Sequence, residues 1–204
     1  MNMFDRVLKA AEQQSLSKIL PAALRLANSA DDEALASWIR LELMGYVPGN
    51  PTMRDDTVVP EYRGVGGQWF NEYGRRLVIE DPDLGFINEI RLRQGVAELE
   101  GIASATGMLV IQPTEFSELL RRKLHVEVSI FRFHPSAINQ VLTNIRTQAL
   151  DRLAASREKL SAVKDAEVLQ EPAVFQLKPS LYGVTVDLKA LWRRLWSKKN
   201  DSPS

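Results

Sequence analysis

The chain has 204 residues, of which 45% are hydrophobic and 25% charged, which is typical of a globular protein with one main domain. Its 26 Lys and Arg residues balance 26 Asp and Glu residues, so the strong positive field of a general nucleic-acid coat protein is excluded. Cysteine is absent, which excludes disulfides and thiolate metal sites, and there are only two histidines. The sequence therefore predicts neither a metal nor a cofactor.

The first residues, MNMFDRVLKAAEQQ, contain Asp5 and lack both the apolar stretch and the cleavage site of a signal peptide. No apolar run approaches the ~20 residues that span a bilayer. We therefore expect a cytoplasmic location, with the surface of the inner membrane as the alternative.

Two amphipathic helices are predicted at the start of the chain. Residues 3–13 and residues 16–27 both carry apolar side chains at helical spacing. Ser15 and Ser17 are candidate N-caps of the second helix. The start of a third helix is predicted at Ser29, which is followed three residues later by Asp32 in a pattern close to a capping box.

Gly45 is predicted to end that third helix. Residues 47–83 contain many prolines and glycines, which indicates loops with short strands in EYRGVG, GQWF and RRLVIE, and a turn at residues 71–74. Residues 86–106 return to helical spacing and are predicted to be helical, with Gly95 as a candidate break.

The second half of the chain alternates short strands with helices. MLVIQP and VEVSIFRFH are predicted strands, and Thr114 is a candidate cap for a helix over EFSELLRRKL. The His134-Pro135-Ser136 sequence begins a long helix, which is predicted to continue to about Leu160 or beyond.

A carboxylate lies where the third helix should be most apolar. Helical spacing places Glu42 near the middle of the apolar arc, where a charge needs a partner; Arg63, Arg146 and Arg152 are the candidates. Glu42 could be a general acid or base with a raised pKa, or one half of an internal ion pair. The ion pair is the favoured interpretation, because no second carboxylate or histidine lies nearby in sequence.

Other motifs do not indicate a reaction. The glycines of RGVGGQW lack the Gly-Lys-Ser/Thr ending of a phosphate-binding loop and are better explained as turn or bulge residues. His134 at a helix start is more typical of capping or packing than of catalysis, and nothing in the spacing selects His125 as a base. No catalytic residue is assigned, and a non-enzymatic role is favoured.

Near the C-terminus, apolar residues recur at the spacing of one helix face. They are Leu188, Leu191, Trp192, Leu195 and Trp196. Five basic residues against Asp187 give this segment a local charge of plus four, and Arg193 and Arg194 belong to it. Such a basic amphipathic helix fits folding back on its own domain. It also fits a protein groove or self-association, then an anionic membrane surface, and lastly nucleic acid.

Several stretches together resemble one family. They are LSKILPAALRLANSADDEALASWIRLELMGY, VPEYR, RLRQGVAELEGIA and INQVLTNIRTQALDRLA. This resemblance is to the AbiTii domain of bacterial abortive-infection and other anti-phage proteins, over roughly residues 3–160. Its most specific part is the array Trp38, Glu42, Leu43, Gly45, Tyr46, Pro60, Tyr62 and Arg63. The resemblance implies a role in bacterial defence against phage and offers no established catalytic residues.

The expected fold is α+β and mainly helical, with N-terminal helices and a long C-terminal helix packed on a small irregular β segment, plus the C-terminal amphipathic helix. We expect an AbiTii-like domain over residues 1–165, a linker over 166–185, the basic amphipathic helix over 186–199 and a disordered tail over 200–204. The expected function is an anti-phage defence module that acts through a protein partner or a homo-oligomer. The alternative is a toxic effector that acts on a membrane or nucleic acid through the C-terminal helix.

Overall fold

The computed structural model describes residues 3–71, 73–79, 85, 87–112, 118, 121–122 and 130–161. Its α-helices in this part of the chain are α1 Met3–Gln13, α2 Leu16–Ser29, α3 Glu33–Met44, α4 Val96–Ala103, α5 Ser136–Ala155 and α6 Arg157–Ser161, with a 3-10 turn at Glu61–Arg63. The strands are β1 Gly64–Gly66, β2 Gln68–Phe70, β3 Arg76–Leu77, β4 Glu89–Arg91, β5 Leu109–Ile111 and β6 Ile130–Phe133. The fold is therefore α+β and mainly helical, as predicted.

The strands form two antiparallel sheets. In the smaller one β1 pairs with β4, and in the larger one the order is β3-β2-β6-β5. One face of the larger sheet is part of the core, where Trp69 lies opposite both Phe131 and Leu77 on the neighbouring strands. The Trp69 and Phe131 rings are 4.9 Å apart and tilted by 59°, a geometry that aromatic pairs favour.

A single core joins this sheet to the helices. Helix α2 packs on α1, α3 and α4, and α5 packs on α1, α4 and the 3-10 turn. Helix α5 buries the predicted apolar stripe, which includes Ile138, Val141, Ile145, Ala149 and Leu153. Hydrophobic burial along these helix faces is the main favourable term in folding.

Two helix ends are satisfied by distant side chains. The predicted cap Ser15 does occupy the N-cap position of α2, but its side chain makes no capping hydrogen bond there. Instead, Glu100 on α4 accepts from the backbone N–H of Leu16 at 2.7 Å, which also places a negative charge at the positive end of the helix dipole. At the C-terminal end of α1, Arg146 donates to the backbone carbonyl of Ala11.

Ser29 was predicted to mark the start of the third helix, and this was wrong. Ser29 is the last residue of α2, and Asp32 itself is the N-cap of α3, with its Oδ1 accepting from Leu35 N at 3.2 Å. The prediction that Gly45 ends α3 is confirmed. Gly45 has φ of 83° and donates its N–H to the carbonyl of Leu41.

The helix predicted over residues 86–106 was wrong for residues 89–94. The described residues there include strand β4, in which Ile90 lies opposite Val65 of β1. Burial alternates along Ile90, Leu92 and Gln94, a period of two that also fits the alternation of apolar and charged residues in IRLR. Gly95 is the N-cap of α4, so the predicted break at this glycine is confirmed.

Three further boundaries differ from the prediction. Residues 61–63 form a 3-10 turn rather than extended chain, and among the described residues of RRLVIE, 75–79, the strand is limited to Arg76–Leu77. The long helix ends at Ala155 rather than near Leu160, because Ser156 leaves the helix before α6 begins. Leu160 is nevertheless fully buried.

Several predictions concern residues that the structure does not describe. Of the helix predicted after Thr114, only residues 118, 121 and 122 are described, and these are helical. The linker at 166–185, the basic amphipathic helix at 186–199 and the end at 200–204 lie outside the described residues. Within the described part, no helix combines the length and apolar character needed to cross a bilayer.

Candidate functional site

The site is built around Glu42, in the last turn of α3. Glu42 faces inward with the apolar residues Trp38, Ile39 and Leu43 of the same helix, and it is 0% exposed. Its Oε2 lies 2.5 Å from Nη1 of Arg63, whose side chain is also 0% exposed. Helix α3 and the 3-10 turn are thus joined by a completely buried ion pair.

Arg63 uses its remaining donors on a third segment. Its Nε donates to the carbonyl of Leu92 at 2.8 Å, and its Nη2 donates to the carbonyl of Gln94. Its Cζ lies 5.0 Å from the centroid of the Tyr46 ring, within the range of a cation–π contact. Arg63 therefore fastens the connection between β4 and α4 to the end of α3.

Two tyrosines complete the coordination of the carboxylate. The hydroxyls of Tyr46 and Tyr62 donate to Oε1 of Glu42, at 2.8 and 2.6 Å. Burial, and secondly the negative charge of Glu42, raises the pKa of both tyrosine hydroxyls above the ordinary value. Both hydroxyls thus stay protonated and act as donors, which a buried carboxylate needs.

The network continues through Tyr62 to the long helix. The indole Nε1 of Trp38 donates to the Tyr62 hydroxyl at 3.0 Å, and Asn144 of α5 donates to the Tyr62 carbonyl at 3.2 Å. Arg152 of α5 places its Cζ 5.0 Å from the centroid of the Trp38 ring. Among the three arginines proposed as partners for Glu42, the ion pair is made by Arg63, while Arg152 contacts Trp38.

Gly45 is needed here for its backbone. It has a positive φ, and a Cβ at this position would overlap the backbone of residues 93–95. The Tyr46 N–H donates to the Arg93 carbonyl at 2.7 Å across this close approach. Leu43 is buried in the core, and Pro60 precedes the 3-10 turn that carries Tyr62 and Arg63.

Sequence reasoning missed two buried amides beside the site. Asn50 is 2% exposed, donates to the Gly45 carbonyl at 2.7 Å and accepts from Thr52 N at 2.9 Å. Gln94 is 3% exposed, and its backbone carbonyl accepts from Arg63. Asparagine in a Pro- and Gly-rich loop commonly bonds to nearby backbone, which is the signal that could have identified Asn50.

The histidine and glycine motifs have structural roles where they are described. The Nδ1 atom of His134 accepts from Ser136 N at 3.1 Å and is 2.8 Å from Ser136 Oγ, which is a contact at the start of α5. The glycines of RGVGGQW lie in β1 and before β2. A Cβ on Gly67 would overlap the ring of Phe131. His125 lies outside the described residues.

This arrangement is suited to holding segments together. A general acid or base must come within hydrogen-bond distance of its substrate, and neither Glu42 nor Arg63 has any exposed surface. An open depression beside α3 contains Glu33, Ser37, Arg54 and Asp56, but its lining includes neither residue of the ion pair. The described residues contain no group of three or more His, Asp or Glu side chains placed to hold a metal ion.

The predicted contact residues of the C-terminal helix, Leu188, Leu191, Trp192, Arg193, Arg194, Leu195 and Trp196, lie outside the described residues. A family model, AbiTii, matches residues 5–171, which is most of the chain. Comparisons with curated proteins and with solved structures gave no match. The chain therefore belongs to the AbiTii family, and the match extends past the domain end predicted at residue 165.

Proposed function

We propose that this AbiTii chain is a cytoplasmic module of bacterial abortive infection, which protects against phage through contacts with a protein partner or with copies of itself rather than through catalysis. Membership of the family supports the defence role. The non-catalytic mode of action is supported by the burial of the charged residues in the family motif.

The complete burial of Glu42 and Arg63 is the main support for a role without catalysis. Both oxygens of Glu42 already accept hydrogen bonds, and Arg63 already donates to Glu42 and to two backbone carbonyls. Structural networks, like catalytic sites, can bury charged groups and shift their pKa values. Their polar atoms, however, are paired with one another and are not available to a substrate. The most specific part of the motif therefore favours a stable scaffold over a reactive centre.

The contact element in this proposal is the basic amphipathic helix predicted at 186–199. Tryptophan and arginine are the side chains most enriched among residues that dominate binding energy at protein interfaces. Trp192 and Trp196 share the predicted apolar face, and Arg193 and Arg194 flank it.

The test is phage plating on bacteria that express the chain together with its neighbouring genes. Loss of residues 180–204, or the Trp192→Ala/Trp196→Ala pair, should abolish protection while the melting temperature of the domain stays within a few degrees. Trp192→Phe/Trp196→Phe is the matched control and should keep most of the protection. Full protection without these residues contradicts the contact mechanism, and no protection by the parent chain contradicts the defence role.

A toxic effector acting on a membrane or on nucleic acid is the alternative function, and the local charge of plus four on the predicted helix favours it. Flotation of the purified chain with anionic vesicles separates the two. The contact proposal predicts no flotation at physiological salt. The effector alternative predicts flotation that Trp192→Ala/Trp196→Ala abolishes, or salt-dependent retention of nucleic acid that Arg193→Gln/Arg194→Gln weakens.

A further inference from the structure

The outer face of the larger sheet is different in character from the rest of the described surface. Residues directly opposite each other on paired antiparallel strands point to the same face. Val110 lies opposite Arg132, which lies opposite Gln68, and Phe70 lies opposite Ile130. These five residues and Arg76, which lies opposite Phe70, are on the outer face, while the alternate residues of the same strands are in the core.

Exposed apolar side chains lie at both edges of this sheet. The large apolar residues most exposed in the described part of the chain are Val58, Tyr73, Val78, Met108 and Val110. Val110 is 52% exposed on the outer face, and Met108 lies two residues before it. Val78 follows β3 and Tyr73 lies in the turn between β2 and β3, so both are at the β3 edge of the sheet, while Met108 and Val110 are at the opposite, β5 edge. Val58 lies in none of these strands or the turns that join them. Exposed apolar side chains on a sheet are typical of a contact surface.

The same face also holds an unused hydrogen-bond donor. The guanidinium of Arg132 lies over the Phe70 ring, with Cζ 4.4 Å from the ring centroid. Its Nε is buried and has no hydrogen-bond partner among the described residues. Arg132 also places a positive charge on this face, so an occupant with a carboxylate beside its apolar surface would fit.

We propose that this outer face is the docking surface for the basic amphipathic helix that the sequence predicts at residues 186–199 of the same chain. The apolar stripe from Leu188 to Trp196 would span about 12 Å along a helix, at 1.5 Å per residue. The four strands are about 14 Å across, at roughly 4.8 Å between neighbours. Asp187, just before the stripe, is the acceptor expected for Arg132. The basic side chains then remain on the solvent side.

The connection to the domain favours docking within one chain. A flexible chain of the length of residues 162–187 has a root-mean-square span of about 28 Å. The domain itself has a radius of gyration of about 15 Å, as expected for its size. Tethering at this range gives an effective concentration of the order of mM, which exceeds that of a second copy in dilute solution. This docking does not depend on the defence role, and because it uses the same face of Trp192 and Trp196 as the proposed partner contact, a partner would have to displace the helix from the sheet.

The absence of cysteine makes cross-linking a direct test. The full chain is made with Val110→Cys and Leu191→Cys and treated with a short bis-maleimide at low micromolar concentration. The matched control is Val58→Cys with Leu191→Cys, because Val58 is the same residue type, is 41% exposed and lies outside the sheet. The expected result is a cross-link within one chain that forms at least tenfold faster for the Val110 pair.

A second variant separates docking from mere proximity. Adding Trp192→Ala and Trp196→Ala should reduce the rate for the Val110 pair to that of the Val58 pair. Equal rates for the two original pairs overturn the proposal, whether or not the chain then floats with anionic vesicles. An unchanged rate without the tryptophans also overturns it, as does a product that is mainly a cross-linked dimer, which would make a second copy the occupant.

Discussion

The two ends of helix α3 each carry an acidic residue that reaches a distant part of the chain, but the two are held differently. At the C-terminal end Glu42 is 0% exposed and is paired with a full positive charge on Arg63. At the N-terminal end Asp32 is 7% exposed, and its Oδ2 accepts from the hydroxyl of Ser156 at 2.7 Å. One end is an ion pair in the core, and the other is a helix cap strengthened by a neutral donor.

The two contacts should contribute unequally to the stability of the fold. Removing one partner of a buried ion pair leaves an uncompensated charge without water, whereas removing a cap returns a few groups to solvent. The C-terminal end also joins α3 to the 3-10 turn and to the connection before α4. Loss of one member of the ion pair should therefore cost several times more than a change at Asp32.

The largest effect is expected for Arg63→Met. It leaves Glu42 charged and buried, so the free energy of unfolding should fall by about 3–5 kcal/mol. Urea unfolding followed by circular dichroism measures it. The control is Arg91→Met, because Arg91 pairs with the exposed Glu61 at 3.0 Å. A loss at Arg63 no greater than at Arg91 would contradict the importance of the buried pair.

A smaller loss is expected for Tyr62→Phe. The hydroxyl donates to the Glu42 carboxylate and accepts from Trp38, and hydrogen bonds to charged groups contribute about 1.5–3 kcal/mol. Tyr73→Phe is the matched control, since that side chain is 78% exposed and should change stability by less than about 0.5 kcal/mol. Equal unfolding midpoints for the two variants would show that Glu42 does not need the Tyr62 hydroxyl.

At the other end of α3, Asp32→Ala should cost about 0.5–2 kcal/mol, the range for loss of an N-cap. Thermal or urea unfolding measures it, with Asp151→Ala on the exposed side of α5 as control. A loss comparable to that of Arg63→Met would remove the distinction between the two ends.

The same cap predicts a dependence on pH. The hydrogen bond from Ser156, then that from Leu35 N–H and the charge of Lys159, hold the pKa of Asp32 below its ordinary value despite the opposing effect of burial. Because the pKa is lower in the folded state, the contribution of Asp32 is present above the unfolded-state pKa of about 3.9 and is lost as pH falls through the folded value. The stability difference between the parent and Asp32→Asn should be constant from about pH 5 to 8 and shrink below about pH 4.

The smallest effect is expected for Ser156→Ala. It removes one hydrogen bond to a carboxylate near the surface and should cost about 0.5–1.5 kcal/mol. It should also raise the pKa of Asp32 towards the ordinary value, because Ser156 is the main cause of the shift. Carboxyl NMR titration measures the pKa, with Ser161→Ala as control, and an unchanged Asp32 titration would contradict the contact.

The sequence was sufficient where the signal is local. Helical spacing placed Glu42 inside the core, Gly45 ended α3, and the motif that contains Glu42 also contains Arg63. It was insufficient where a short element fits two patterns: Ile87 and Ile90 have helical spacing, while Ile90 and Leu92 alternate as in β4. Pairing with β1, which places Ile90 opposite Val65 in the core, favours the strand.

Apart from the candidate partners of Glu42, contacts between distant segments were not predictable from one sequence. Nothing near Arg63 specifies that its other donors bond to the carbonyls of residues 92 and 94, because every residue offers such a carbonyl. The same holds for Glu100 at the start of α2 and for Ser156 at Asp32. These contacts are set by how the helices pack, which becomes definite when the core forms.

The most direct test of the central claim is phage protection by Glu42→Gln/Arg63→Gln. This pair removes both charges but leaves an acceptor for the two tyrosine hydroxyls and an amide near the position of the Arg63 Nε. Protection is measured by plating at a temperature at which the purified variant is folded. If the pair is structural, the folded variant should protect as well as the parent. A variant that is folded but has lost protection would show that the buried charges themselves take part in the function.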